Sequence, residues 1–302
     1  MGVDLTPFKT CSFNCVFCQL GRTRQQTIIR KEYVPIDNVL DEIGSWLQTE
    51  GNADYVTLSG SGEPTLHTGF GRVLEFLQRK TKIPSVLLTN GSTLDSSSVR
   101  ESAALADIVK ISLSAWDQAS FININRPHAA LQFSRMVDGQ IRFRCQFKGS
   151  LWVEVFLLEG MNSTPDSVAQ IAAHIQKIKP DRIQLNTVSR PPAENFAVAV
   201  PHNHLKALLP LFDPPAEIIA EFRSDHHKTA QAKEAGILSM LQRRPCTMEQ
   251  ILEAFDLHRN ETAKYIGKLM QAGLVFSVYK KSNVYYTASH KDNDPDPVNE
   301  TT

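Results

Sequence analysis

Short apolar runs alternate with stretches of helical spacing from Val3 to about Phe222. Runs at 3–5, 55–58, 85–89, 108–113, 151–158 and 182–185 predict strands. Between them, Ile36, Val39, Leu40, Ile43, Trp46 and Leu47 make one helical stripe, and Phe70, Val73, Leu74 and Leu77 another. Ile171, Ile175 and Ile178 make a third, with Pro165 at its start and Pro180 beyond its end. Six strands, each followed by a crossover, predict an α/β fold whose parallel sheet curls into a partial barrel. In such barrels chemistry sits at the C-terminal ends of the strands. Pro191-Pro192, Pro201 and Pro214-Pro215 punctuate the end of this region.

A different pattern starts near Ala230. Ile237, Leu238 and Leu241 suggest a helix ending before Pro245. Thr247, followed three residues later by Gln250, reads as the cap of a second. Asn260 opens a third carrying Ile266, Leu269 and Met270, and Gly273 closes it. Residues 274–278 and 284–287 then pair across Lys280-Lys281-Ser282-Asn283. Three short helices and a hairpin resemble a winged helix-turn-helix. The expected organisation is a barrel over 1–222, a linker at 223–229, a winged-helix-like domain over 230–288 and a disordered polar tail at 289–302.

Charge matters locally rather than in bulk. The 302 residues hold 32 Lys+Arg against 32 Asp+Glu, so the chain is not built to coat nucleic acid. Residues 230–288 carry Lys233, Arg243, Arg244, Arg259, Lys264, Lys268, Lys280 and Lys281 against Glu234, Glu249, Glu253, Asp256 and Glu261, a net +3. If Arg259, Lys264 and Lys268 lie along the third helix, they are placed to meet phosphates, although winged helices also bind protein. A hydrophobic content of 42% excludes a disordered chain. No apolar run approaches the roughly 20 residues of a membrane span, and the start carries no signal-peptide pattern.

Three of the five cysteines, Cys11, Cys15 and Cys18, fall within eight residues. Cys145 and Cys246 stand apart. An odd, clustered set without a secretory signal reads as metal binding in the cytoplasm, not as a disulfide framework. Three thiolates on one loop can hold three irons of a cubane cluster, leaving the fourth iron open to a small molecule. Structural zinc, which wants four ligands or three plus water, and plain core packing are the alternatives.

Cys11-Ser-Phe-Asn-Cys15-Val-Phe-Cys18, a C-x3-C-x-aromatic-C element after the first strand, resembles the radical S-adenosylmethionine (radical SAM) superfamily. The resemblance covers residues 1 to about 222 and implies a partial (β/α)6 barrel, a [4Fe-4S] cluster and S-adenosylmethionine. It further implies cleavage of that sulfonium to a 5′-deoxyadenosyl radical, which abstracts a substrate hydrogen, with an electron donor of flavodoxin or ferredoxin type. About 50 residues later, Gly60, Ser61, Gly62 and Glu63 before Pro64 resemble the family's Gly-Gly-Glu-Pro element, with Ser61 in place of the first glycine. That element implies a backbone cradle for the methionine ammonium. Asn90, Ser112 and Ser114, at the next two strand ends, fall where the family faces the nucleoside. Ser114 stands where the resemblance leads one to expect Asp, and Asn90 also suits a plain turn before Gly91. Phe17 is placed either beside the adenine or in the core.

Cys18-Gln19-Leu20-Gly21-Arg22-Thr23, Asn125-Arg126-Pro127-His128, Leu151-Trp-Val-Glu154 and Gln184-Leu-Asn186-Thr187 with Arg190-Pro191-Pro192 resemble the branch grouped with wyosine-type tRNA-modifying enzymes. The resemblance makes Asn186 a cofactor contact and Arg126, Glu154 and Arg190 substrate contacts. Surface ion pairing is the alternative for each arginine. Two departures from that branch stand out. Ten residues precede Cys11, without the Pro-Ser-Arg-Arg-type segment or a second cluster. The expectation is either a start further upstream or a barrel short of one edge. The expected function is a radical SAM enzyme on an unassigned RNA or protein substrate. The alternatives are an iron–sulfur redox sensor that binds DNA through the winged helix, and an activase that installs a radical on a partner enzyme.

Overall fold

A computed structural model of the chain describes residues 1–219, 234–255, 257, 259–280 and 283–289. The chain divides into two compact units, Met1–Glu221 and Phe222–Thr302. The first unit runs β1 (Gly2–Asp4), β2 (Thr10–Cys11), β3 (Gln25–Gln26), α1 (Ile36–Thr49), β4 (Val56–Ser59), α2 (Phe70–Lys80), β5 (Ser85–Thr89) and α3 (Ser97–Ala103). It continues through β6 (Ile108–Ser112), α4 (Gln118–Asn125), α5 (Phe133–Gln146), β7 (Ser150–Leu157), α6 (Pro165–Ile178), β8 (Arg182–Thr187), α7 (His202–Leu208) and β9 (Ala216–Ile218).

Seven of these strands, β1 and β4 to β9, form one sheet in chain order with every neighbouring pair parallel. This is the α/β architecture of a partial barrel. The six expected strands are present with ends shifted by up to two residues. The count is corrected to seven: β9 follows Pro214-Pro215, where the sequence suggested only punctuation. Its three residues give no periodicity to read, and prolines suit the approach to an edge strand, which need not donate on its outer side.

Strand β7 shows how the sheet is held. Leu151, Val153, Val155 and Leu157 alternate onto the buried face, in one core with Phe143 of α5 and Ile171, Ile175 and Ile178 of α6. Each such side chain stabilises the fold by about 1.5–3 kcal/mol. The intervening Trp152, Glu154 and Phe156 face the other way and stay partly accessible. The helix α6 is bounded as expected: Thr164 Oγ1 accepts from Ser167 N–H at 3.2 Å, Pro165 occupies the first turn, and Lys179 closes it in the left-handed region ahead of Pro180.

The second unit contains α8 (Glu234–Arg243), α9 (Met248–Phe255), α10 (Arg259–Gln271) and an antiparallel pair, β10 (Val275–Lys280) with β11 (Asn283–Ala288). Ile237, Leu241, Ile251, Ile266, Leu269, Val275 and Ala288 form its own core. Thr247 and Gln250 cap α9 reciprocally, at 3.3 and 3.1 Å. Gly273, at φ 69°, ends α10. Lys264 and Lys268 lie exposed one turn apart on α10, and Arg259 at its start pairs with Glu249 at 3.8 Å. The predicted linker 223–229, Lys233, Asp256, Lys281, Ser282 and the tail from 290 onward lie outside the described residues. No helix among the described residues is long and apolar enough to cross a membrane.

Candidate functional site

The loops after β1, β4, β5, β6, β7 and β8 leave the same end of the parallel sheet, so the sequence motifs converge there. Cys11 ends the short strand β2, whose parallel pairing with β3 closes the cysteine loop. Cys18 N–H bonds Cys15 carbonyl at 3.2 Å and Gly21 N–H bonds Cys18 carbonyl at 3.0 Å, so the loop winds through tight turns. Asn14 and Val16 N–H donate to the carbonyls at the end of α4, which pins the loop to that helix.

All three cysteines are partly buried. Burial, with a smaller push from Glu63, raises the Cys11 thiol to about 12. Burial also raises Cys15, helped by the neighbouring Cys18 and Cys11. Iron binding at Cys11 and Cys15 must therefore expel protons from thiols that burial favours in the protonated form. Each sulfur meets a side-chain N–H: Asn90 Nδ2 at 3.6 Å from Cys11, Asn125 Nδ2 at 3.4 Å from Cys15, and Lys9 Nζ at 3.0 Å from Cys18. Among the described residues no three Cys, His, Asp or Glu side chains converge on a point as the ligands of one ion would. Three thiolates on one loop can each take a different iron of a cubane, so the donor set fits a multi-iron cluster.

The turn after β4 packs directly on this loop. A Cβ on Gly62 would lie 1.9 Å from Thr10 carbonyl oxygen, so only glycine allows the approach. Gly60 has φ 136° and abuts the Asp4 carboxylate, which accepts from Ser61 N–H at 2.8 Å. Glu63 is turned inward. Its Oε1 accepts from Thr65 N–H, Thr65 Oγ1 and Thr89 Oγ1, and its Oε2 from Asn90 N–H at 2.7 Å. Burial raises its pKa and these hydrogen bonds oppose the rise. Glu63 thus ties the glycine turn to the end of β5 and presents no free carboxylate.

The other expected contacts divide into framework and open face. Asn90 is committed to Ser12, at 2.9 Å, and to Ser92 N–H, so it supports the cysteine loop. Ser114 is buried and accepts from Phe156 N–H at 3.0 Å, while Ser112 carbonyl takes Gln140 at 3.5 Å. Phe17 stacks on Phe156, centroids 4.2 Å apart and 9° from parallel. On the accessible face Glu154 pairs with Lys110 and accepts from Asn186 Nδ2 at 3.0 Å. Arg190 donates to Gln19 at 3.0 Å. Arg126, left-handed at φ 44°, reaches Glu194 at 2.6 Å.

Sequence reasoning missed Glu194. It is 7% exposed, takes Arg22 through both oxygens at 2.9 and 3.0 Å, and its N–H bonds Val16 carbonyl at 3.0 Å. The hydrogen bonds from Arg22, then Arg126, hold its pKa below the usual carboxylate range. Its partners lie 172 and 68 residues away, so no local spacing marks it. Lys9, Lys110 and Asn125 escape sequence reasoning as individual site residues, although Lys110 falls in the predicted strand 108–113 and Asn125 in the Asn125-Arg126-Pro127-His128 motif.

Residues 5–139 match the model of the Radical SAM superfamily. The chain is 33% identical over 279 residues to a protein of Brachyspira hyodysenteriae described as GTPase Obg, covering 91% of this chain. It spans only 41% of that relative's length. It is 34% identical over 192 residues to a UPF0026 protein of Synechocystis, 63% of this chain and 71% of the relative. A radical SAM methyltransferase from Sphaerobacter thermophilus shares the fold with a TM-score of 0.52 at 14% identity, covering 72% of this chain and 65% of that one. The chain therefore belongs to the UPF0026 family and carries in its first unit a radical SAM domain, the domain of enzymes that work with a [4Fe-4S] cluster and S-adenosylmethionine.

Proposed function

We propose that this chain is a radical SAM enzyme acting on a macromolecular substrate, in the branch grouped with wyosine-type tRNA-modifying proteins. The observation that carries the reading is the triple of cysteine sulfurs, each met by an N–H donor, against the glycine turn at the end of β4. In this reading Cys11, Cys15 and Cys18 hold three irons, and the backbone of residues 60–62 receives the methionine ammonium of S-adenosylmethionine. A cluster held there would supply the one-electron reduction of S-adenosylmethionine that opens radical chemistry on the substrate.

The chain's own residues position these partners. Glu63 holds the glycine turn in place through Thr65, Thr89 and Asn90. Phe17, next to Cys18 in the chain, stacks on Phe156 as an apolar pair. Glu154, Asn186 and Lys110 offer substrate a polar surface on the inner face, with Arg126 and Arg190 at the rim. The second unit reads as a winged helix that docks the macromolecule through Lys264 and Lys268. An electron donor of flavodoxin or ferredoxin type and a cytoplasmic setting complete the proposal.

The test is anaerobic reconstitution of the full chain with iron and sulfide, then addition of strong reductant and S-adenosylmethionine. The expected result is about four irons per chain and slow release of 5′-deoxyadenosine without substrate. Cys11→Ala, Cys15→Ala and Cys18→Ala should each lose the cluster, whereas Cys145→Ala and Cys246→Ala should keep it. Fully loaded, reduced protein that yields no deoxyadenosine would sink the enzyme reading in favour of a redox sensor.

A further inference from the structure

The three N–H donors around the cysteine loop are not equivalent. Asn90 and Asn125 offer neutral amides, but Lys9 brings an ammonium. Lys9 is 3% exposed. Its backbone sits in the left-handed region at φ 60°, a conformation that costs a non-glycine residue about 1 kcal/mol or more. Backbone hydrogen bonds hold it there. Lys9 N–H donates to Ser61 carbonyl at 2.7 Å, and its own carbonyl accepts from Arg24 and Gln25 N–H at 3.1 Å each. The chain is thus clamped between the cysteine loop and the glycine turn at the residue that aims a cation at Cys18.

Among the described residues Lys9 Nζ makes no ion pair with a carboxylate; the partner it reaches is Cys18 Sγ at 3.0 Å. A buried ammonium without a nearby anion is costly. Three thiolates on a cubane change that balance. Cluster and ligands together carry one negative charge when oxidised and two after taking one electron. The attraction to a fixed cation a few ångströms away is therefore larger in the reduced form. Hydrogen bonds to the sulfurs and local charge are established means by which a protein moves a cluster's potential.

We propose that Lys9 is a positioning residue for electron transfer: through Cys18 its ammonium stabilises the reduced state of the cluster held by Cys11, Cys15 and Cys18. The inference rests on the radical SAM reading above. The electron comes from an external low-potential donor, and the cluster gains it without loss of any ligand.

The experiment is a redox titration of the reconstituted full chain, followed by electron paramagnetic resonance of the reduced cluster, with iron content measured on each sample. Lys9→Met and Lys9→Gln should load iron and disfavour reduction at least tenfold, a fall of 59 mV for a one-electron couple. Lys9→Arg should stay within about threefold of wild type, a window set by the context dependence of such charge effects. Asn125→Ala, which removes a neutral donor, should move the potential less than either neutral Lys9 variant. A loaded Lys9→Met or Lys9→Gln with the wild-type potential overturns the proposal. So does a result in which both neutral variants fail to load while Lys9→Arg loads, because Lys9 would then serve assembly, not potential. Wild-type chain that binds no iron takes down the radical SAM reading as well. Loaded wild type that cleaves S-adenosylmethionine but whose potential ignores Lys9 takes down this inference alone.

Discussion

Glu194 ties the cysteine loop to two distant arginines although no motif selects it. Its carboxylate receives Arg22 and Arg126, and its backbone N–H holds the carbonyl of Val16, the residue after Cys15. Because hydrogen bonds from the arginines depress its folded pKa below the unfolded value, the stabilisation is complete above the ordinary glutamate range. It disappears as pH falls through the lower, folded value. Glu194→Gln should therefore destabilise the first unit at pH 7, by roughly 1–2 kcal/mol since Arg22 is largely exposed. The gap between variant and wild type should narrow steadily below about pH 4. Urea unfolding followed by tryptophan fluorescence is the appropriate measurement, because Trp46, Trp116 and Trp152 all lie in the first unit. A gap that stays constant down to pH 3 would show that the carboxylate charge is not what holds the loop.

At the scale of elements, the fit between the β4 turn and strand β2 is the tightest joint of the site. Gly62→Ala would drive a methyl group into Thr10 carbonyl at 1.9 Å and Thr6 Oγ1 at 2.7 Å, so the turn and the cysteine strand must separate. The expected cost is about 2–3 kcal/mol, in the range of overpacking, together with reduced iron content after reconstitution. Gly44→Ala is the control. It lies within α1 with Phe76 at an ordinary 3.7 Å, and should stabilise by about 0.5–1 kcal/mol through helix propensity. Equal behaviour of the two variants would mean that the contact at Gly62 relaxes freely. The contrast also marks what the sequence made legible. Strand-like runs of four to eight residues announce five of the strands, the glycine motif follows the first of these, and the cysteine motif follows the shorter run 3–5. β9 has three residues and no period, and Lys9 and Glu194 act through contacts that form only when distant loops meet. The motifs single out Asn90 and Glu63 as cofactor contacts at the strand ends. Their inward, framework-holding orientation depends on Thr65, Thr89 and Ser12, which no spacing rule connects to them.

For the whole molecule, the two units have separate cores. The first is built on the sheet and its helices, the second on Ile237, Ile251, Ile266 and their neighbours. Every residue tied above to the cysteines lies before Glu221. A chain ended at Glu221 should therefore fold, bind the same iron as the full chain and release 5′-deoxyadenosine at the same uncoupled rate. Turnover on a large substrate should fall, because the exposed pair Lys264 and Lys268 is lost with the second unit. In the full chain, Lys264→Ala with Lys268→Ala should weaken nucleic-acid binding across sequences. The slope of log K against log salt should flatten by about 0.7–0.9 for each phosphate contact removed. Fluorescence anisotropy of labelled RNA at several salt concentrations measures both quantities. Binding indifferent to salt would redirect the search to a protein partner. Loss of iron from the shortened chain would mean that the second unit helps to hold the cysteine loop, and that independent cores do not make independent functions here.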